Sequence, residues 1–197
     1  MLTKTLQPTL TGEDELDQSY YKGWHLGGTH HDAMTTEFEW AMLRFEQAFQ
    51  RFMLQIASMC GLGELSSAEL VLLHVIRMQD GPKTAAVLAR QLNIDGVTNV
   101  QYSLRKLLNS GFVDKIKGAN SKIWMYAATE RAAAMLDEYT RIRREMLTDQ
   151  TKNFESIDKK LYEAAKLISL LTGTYDEASR ISATYCRVSP PGESKKR

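Results

Sequence analysis

The chain has 197 residues, 43% hydrophobic and 25% charged, with a formal net charge of +1. That is the make-up of a globular protein with a sizeable core, and it excludes a disordered or fibrous chain. No run of about 18 apolar residues suits a membrane span, and no basic head with an apolar core marks a secretory signal. The two distant cysteines, Cys60 and Cys186, suit a reducing compartment better than a disulfide framework, so a cytoplasmic protein is expected. The charge is unevenly spread. Residues 1–50 carry three cations against eight carboxylates, a net of −5. Residues 83–126 carry Lys83, Arg90, Arg105, Lys106, Lys115, Lys117 and Lys122 against Asp95 and Asp114, a net of +5. A local basic excess is the electrostatic footprint that nucleic-acid binding requires.

Residues 1–33 mix turn formers, acids and the aromatics Tyr20, Tyr21 and Trp24 without a sustained period. They read as a partly ordered arm that packs on its own domain or on a second subunit. From about Met34, the residues Phe38, Met42, Phe45, Phe49, Phe52 and Ile56 recur at helical spacing, and Gly61 and Gly63 end that helix. Ser66 and Glu69 form a capping box. The helix it opens runs to about Arg77, with Leu70, Leu73, His74 and Ile76 on its apolar side, and Gly81-Pro82 closes it.

Thr84 caps a short helix over 85–92, with Val87, Leu88 and Leu92 as the expected buried set and Ala85 and Ala89 permitting close approach. A turn over 93–96 follows, in which Ile94 is expected to plug the gap between helices. A second helix covers 97–109. Two short helices around a turn of about four residues have helix-turn-helix spacing. In the second helix Val100, Leu104, Leu107 and Leu108 share one face, and Thr98, Asn99, Gln101, Tyr102 and Arg105 share the other.

After Gly111 the period changes. Residues 112–117 and 123–126 alternate as strands do, around the loop Gly118-Ala119-Asn120-Ser121-Lys122. This is a hairpin directly after a helix-turn-helix, in other words a wing. Thr129-Glu130-Arg131 opens another helix, with a stripe of Ala132, Met135, Leu136, Tyr139, Ile142 and Met146 reaching about Leu147. A further helix is expected over 154–171, with Thr172-Gly173 breaking it before a short helix over 176–185. Residues 187–197 read as a flexible basic tail of net charge +3.

The exposed side of the second helix carries chemistry suited to DNA. Asparagine and glutamine match adenine's N6/N7 edge and a threonine methyl matches thymine, which assigns Thr98, Asn99 and Gln101 to bases. Tyr102 and Arg105 are assigned to phosphates. Lys106, Lys115, Lys117 and Lys122 serve backbone neutralisation, and Thr84, at the start of the first short helix, joins the DNA-contacting set. His25, His30, His31 and Asp32 form the one metal-like cluster, but adjacent histidines in a helix do not chelate one ion easily. No metal or cofactor is expected. No nucleophile–base pair, phosphate-cradling glycine loop or metal spacing points to an enzyme.

The order of elements and the stretch LARQLNIDGVTNVQYSLRKLLNSGFVDKI, followed by ATERA at 128–132, resemble the MarR family of winged-helix transcription regulators over roughly residues 34–168. The resemblance implies a mainly α fold with a small β-wing. It implies a winged helix-turn-helix at 65–128, and a dimerisation region at 34–64 and 129–186 built from the N- and C-terminal helices. It further implies a homodimer on a pseudo-palindromic double-stranded operator, acting as a repressor relieved by a small-molecule effector. A small aromatic effector would suit a pocket between the first, second and fifth helices, with Phe45, Phe49, Phe52, Met53, His74 and Met135 as candidates. The family's wing commonly carries an Asp-Arg pair, whereas the tip here is GANSK. A lysine in place of that arginine lacks the planar fork, so more of the selectivity falls on the helix over 97–109. The alternative reading is a winged helix used for protein–protein assembly without sequence-specific DNA binding.

Overall fold

A computed structural model describes residues 24–79, 81–117 and 123–185. The N-terminal arm before Trp24, the wing tip with Lys122, Cys186 and the basic tail lie outside the described residues. The chain divides into two compact units, Met1–Tyr139 and Thr140–Arg197.

The first unit begins with α1, His30–Met59, which starts earlier than its apolar period suggests. The reason is local: Thr29 is the N-cap, its hydroxyl accepting the Asp32 N–H at 3.1 Å while the Asp32 carboxylate accepts the Thr29 N–H at 2.8 Å. The α1 stripe changes character along its length. From Trp40 to Phe49 none of it is buried, whereas Met53, Ile56 and Ala57 are sealed in the core. Gly61, at φ +79°, adopts the left-handed turn that returns the Leu62 N–H to the Ala57 carbonyl at 2.8 Å.

The expected capping box of Ser66 and Glu69 opens α2, Ser67–Arg77. The two-residue strand β1, Lys83–Thr84, leads into α3, Ala85–Gln91, and sequence periodicity gave no sign of so short a strand. In α3 the buried residues are Leu88 and Ala89, with Leu92 half-buried and Val87 exposed, which corrects the expected set. Ile94 is likewise 37% exposed and does not plug the turn. A helix of two turns offers too few positions for its period to settle which side faces inward.

Helix α4, Val97–Asn109, divides as its sequence requires: Val100, Leu104 and Leu107 are buried and Leu108 half-buried. Gly111, at φ +69°, turns the chain into β2, Val113–Lys117, which pairs antiparallel with β3, Trp124–Ala128, and β1 adds on the far side in the order β1-β3-β2. The register aligns Lys115 with Tyr126 and Lys117 with Trp124. The base of the hairpin is closed by Thr129, whose N–H donates to Phe112 O and whose hydroxyl donates to Gly111 O, both at 3.0 Å. Phe112 itself is fully buried, so truncating it to alanine would cost about 3–5 kcal/mol.

The hydroxyl of Thr129 also accepts the Ala132 N–H at 3.2 Å and so caps α5, Glu130–Arg143. A π-helical turn, Arg144–Thr148, and the three-residue α6, Asp149–Thr151, follow. Helix α7, Ile157–Tyr185, runs through Gly173 without the expected break. A glycine in a helix costs only about 1 kcal/mol, and the hydroxyls of Thr172 and Thr174 bond back to the carbonyls of Ile168 and Leu170 at 2.8 and 3.2 Å. Along α7 the apolar residues Leu161, Tyr162, Leu167, Leu170, Tyr175 and Ile181 are exposed. No helix among the described residues is long and apolar enough to cross a membrane.

Candidate nucleic-acid interface

The site is built on α4. The turn before it uses Asn93 at φ +50°, with the Ile94 N–H donating to Ala89 O at 3.0 Å. Its N-cap, Gly96, lies at φ +83° and makes no side-chain cap bond. Thr98, Asn99, Gln101, Tyr102 and Arg105 are all exposed, as expected of groups that meet a ligand. Tyr102 is 55% exposed, and the Arg105 guanidinium lies 5.9 Å from its ring centroid. Thr84 also has a structural task. It is half-buried and caps α3, its hydroxyl accepting the Val87 N–H at 3.3 Å.

The free basic excess is smaller than the sequence suggests, because Lys83 turns inward and Lys106, although half of its side chain is exposed, is paired with a carboxylate. Lys83 is 8% exposed, and its ammonium donates to the carbonyls of Ile76, Met78 and Gln79 at the end of α2. Lys106 pairs with Glu69 of α2, Nζ to Oε1, at 2.8 Å. Burial would raise the Glu69 carboxyl, but hydrogen bonds from Lys106 and from the Ser66 backbone and hydroxyl outweigh it and hold the group below its ordinary value. The same bond raises Lys106. Neither partnership was legible from sequence, since each joins residues that only folding brings together.

On the wing, Lys115 and Lys117 are exposed and share one face of the hairpin with Trp124. The Lys115 ammonium lies 4.4 Å from the Trp124 ring and that of Lys117 lies 5.9 Å from it. This is a cation–aromatic cluster of the kind that holds cationic side chains in place. Trp124 is 43% exposed and was not among the sequence-derived site residues. Strand alternation, which puts it on the face of the two lysines, is the signal that could have found it.

The six candidate effector residues differ in exposure. Phe45 and Phe49 are 63% and 43% exposed on α1, stacked with centroids 6.0 Å apart. Met53 is buried, and Phe52, His74 and Met135 are half-buried. His74 sets its ring edge-on to Tyr139 at 4.5 Å, a contact that sequence reading missed. An open cavity of about 300 Å³ lies elsewhere, lined by Ile76, Arg77, Pro82, Ala127 and Ala133 among others, and includes none of the six. Asp32 serves its helix cap, and no three His, Cys, Asp or Glu side chains converge among the described residues.

Residues 65–132 match the family model of a winged helix DNA-binding domain. Comparison with curated protein sequences finds no match. Among solved structures the chain is similar to the transcriptional regulator BldR from Sulfolobus solfataricus, at 15% identity and a TM-score of 0.56 over 69% of this chain and 95% of that one. It is similar to a cysteine-to-serine variant of MarR from E. coli complexed with operator DNA, at 20% identity and a TM-score of 0.54 over 70% and 93%. It is also similar to the M. tuberculosis transcriptional regulator MOSR in complex with DNA, at 18% identity and a TM-score of 0.53 over 72% and 96%. At these identities the likeness is one of fold.

Proposed function

We propose that this chain, whose residues 65–132 belong to the winged helix DNA-binding domain family and whose fold is that of the MarR regulators, is a dimeric, sequence-specific DNA-binding transcription regulator. The observation that carries the reading is the division of α4. Val100, Leu104 and Leu107 are sealed in the core, while Thr98, Asn99, Gln101, Tyr102 and Arg105 stand exposed on one continuous face. Such a helix can enter a major groove with hydrogen-bonding groups toward base edges and the arginine toward a phosphate. Lys115 and Lys117 on the wing supply further phosphate contacts.

Two copies are part of the proposal. One half-site of a few base pairs is weak and common, whereas two α4 helices one helical turn apart, roughly 34–36 Å, read an extended pseudo-palindrome. The open stretch of α1 from Trp40 to Phe49 and the exposed apolar residues of α7 are the surfaces that a second copy would cover. The finer form of the reading is a repressor relieved by a small aromatic effector. The buried and half-buried candidates Phe52, Met53, His74 and Met135 are the proposed contacts, and no catalytic activity is assigned.

The test uses a duplex enriched from random-sequence DNA by the wild-type protein, compared with a scrambled duplex. Asn99→Ala should lose preference between them by about 1–3 kcal/mol. Lys115→Ala should weaken binding to both alike and lower the salt slope by about 0.9. Equal, salt-dependent binding of both duplexes, unaltered by Asn99→Ala, removes the base-reading assignment.

A further inference from the structure

Glu69 is 4% exposed, and a carboxylate that deep in a protein needs partners for both oxygens. Its Oε2 accepts the Ser66 N–H at 2.9 Å, which completes the α2 capping box. Its Oε1 accepts Lys106 Nζ at 2.8 Å. Lys106 belongs to α4, so this bond joins the capped start of one helix to the side of another. The Lys106 ammonium also lies 5.0 Å from the ring centroid of Tyr102, one turn back on α4. Carboxylate, ammonium and phenol therefore form one connected row running from α2 onto the exposed side of α4.

The rest of what holds α4 is less directional. Val100, Leu104 and Leu107 bury apolar surface, and apolar burial resists separation more than it resists rotation or sliding. The N-cap Gly96 makes no side-chain bond, so the first turn, with Thr98 and Asn99, is not pinned by its own cap. A charge-assisted hydrogen bond has a short length and a preferred angle. Glu69–Lys106 supplies that constraint.

Half of the Lys106 side chain remains exposed, so it is the bond to Glu69, not burial, that ties its ammonium. We propose that Lys106 is a positioning residue, its ammonium engaged by Glu69 rather than by the DNA backbone, and that the pair fixes the rotation of α4 and the placement of Tyr102. The proposal rests on the DNA-binding reading above, and it takes Lys106 out of the phosphate-contacting set. Moving the ammonium to a phosphate would leave Glu69 buried without its counter-ion. A contact at the solvent rim, screened by salt, returns less than that.

Two variants of the full chain separate positioning from phosphate contact. Lys106→Met keeps the stem and removes the charge. Glu69→Gln keeps an acceptor for the Ser66 N–H, as glutamine does in a capping box, and removes the charge at the other end. Affinities are measured by fluorescence anisotropy at several salt concentrations for the enriched and scrambled duplexes. Both variants should lose discrimination by roughly tenfold, the scale of one base contact. Lys106→Met should leave the salt slope unchanged. Glu69→Gln should steepen it by about 0.9, because the released Lys106 becomes free to meet a phosphate.

Lys106→Met that lowers the slope by that amount with discrimination intact overturns the proposal. So does a Glu69→Gln protein that binds as the wild type does. The aromatic NMR signal of Tyr102 should shift in both variants without DNA, and an unmoved signal in folded protein overturns the tether by itself. If Lys106→Met fails to fold by circular dichroism, Glu69→Gln carries the test alone. A wild-type protein that binds both duplexes equally removes the base-reading premise and the proposal with it, an outcome the wild-type measurement identifies before any variant is examined.

Discussion

Lys83 Nζ lies 3.1 Å from the main-chain oxygen of Ile76, so a lysine in a region of basic excess closes the end of a helix instead of facing solvent. The last carbonyls of α2 have no intrahelical partners and sit at the negative end of its dipole. Lys83 is also the first residue of β1, which pairs with β3, so the same side chain links α2 to the sheet. Lys83→Met should lower stability by about 2 kcal/mol, seen as a lower urea midpoint at constant slope. The salt dependence of DNA binding should not change. A salt slope reduced by about 0.9 would instead place this ammonium on a phosphate.

The Glu69–Lys106 bond defines a pH range. Glu69 is held below its ordinary value of 4.5 because the bonds from Lys106 and Ser66 outweigh burial, which raises it. A carboxyl lowered on folding adds stability above its unfolded value and loses it as pH falls through the folded one. Lys106 is raised above 10.5, chiefly by the Glu69 bond, so its contribution is complete below that value and is lost as pH rises past the folded one. The stability difference between wild type and Glu69→Gln, from urea titrations, should therefore be full near neutral pH and shrink in acid. A difference that persists unchanged into strong acid would show that the ionised carboxylate is not the stabilising species.

Phe45, 63% exposed and stacked on Phe49, lies on the stretch of α1 proposed for the second copy. Phe45→Glu puts a charge into a surface that would otherwise be apolar and dehydrated. Sedimentation at micromolar concentration should give a dimer for the wild type and a monomer for the variant. A variant that remains dimeric would exclude this stretch of α1 from the interface.

Gly173 lies inside α7, and a Cβ added there meets nothing within 4 Å. Gly173→Ala should therefore raise stability by about 0.5–1 kcal/mol, through the lower conformational entropy of the unfolded chain. Thermal unfolding reads this directly. A loss of stability would place another backbone close against this glycine, which in a dimer would be that of the second copy.

The central helix was largely legible in the sequence. Its four apolar residues and five polar ones separate at a 3.6-residue period over more than three turns, and the buried and exposed faces follow that separation. The Ser66–Glu69 capping box was legible for a similar reason, since both partners lie within one turn. The candidate cations were harder to assign. Lys83, Lys106 and Lys115 look alike as sequence, yet one caps a helix, one pairs with a buried carboxylate and one lies over Trp124. The effector candidates fared similarly. Phe45 and Met53 share one helical stripe, and only the packing of neighbouring elements leaves the first exposed and seals the second.

By itself the sequence determined what is local and periodic: the helix-turn-helix and its wing, the caps at Ser66 and Thr84, and the two faces of α4. These depend on backbone geometry and on the alternation of apolar and polar groups, which act over a few residues. The tertiary structure alone decided which cations face outward, that β1 joins the wing, and that Glu69 holds Lys106. Those outcomes depend on which distant groups share a low-dielectric interior. There, an unpaired charge or carbonyl costs far more than it does in water, so its partner is settled only once the chain has closed around it.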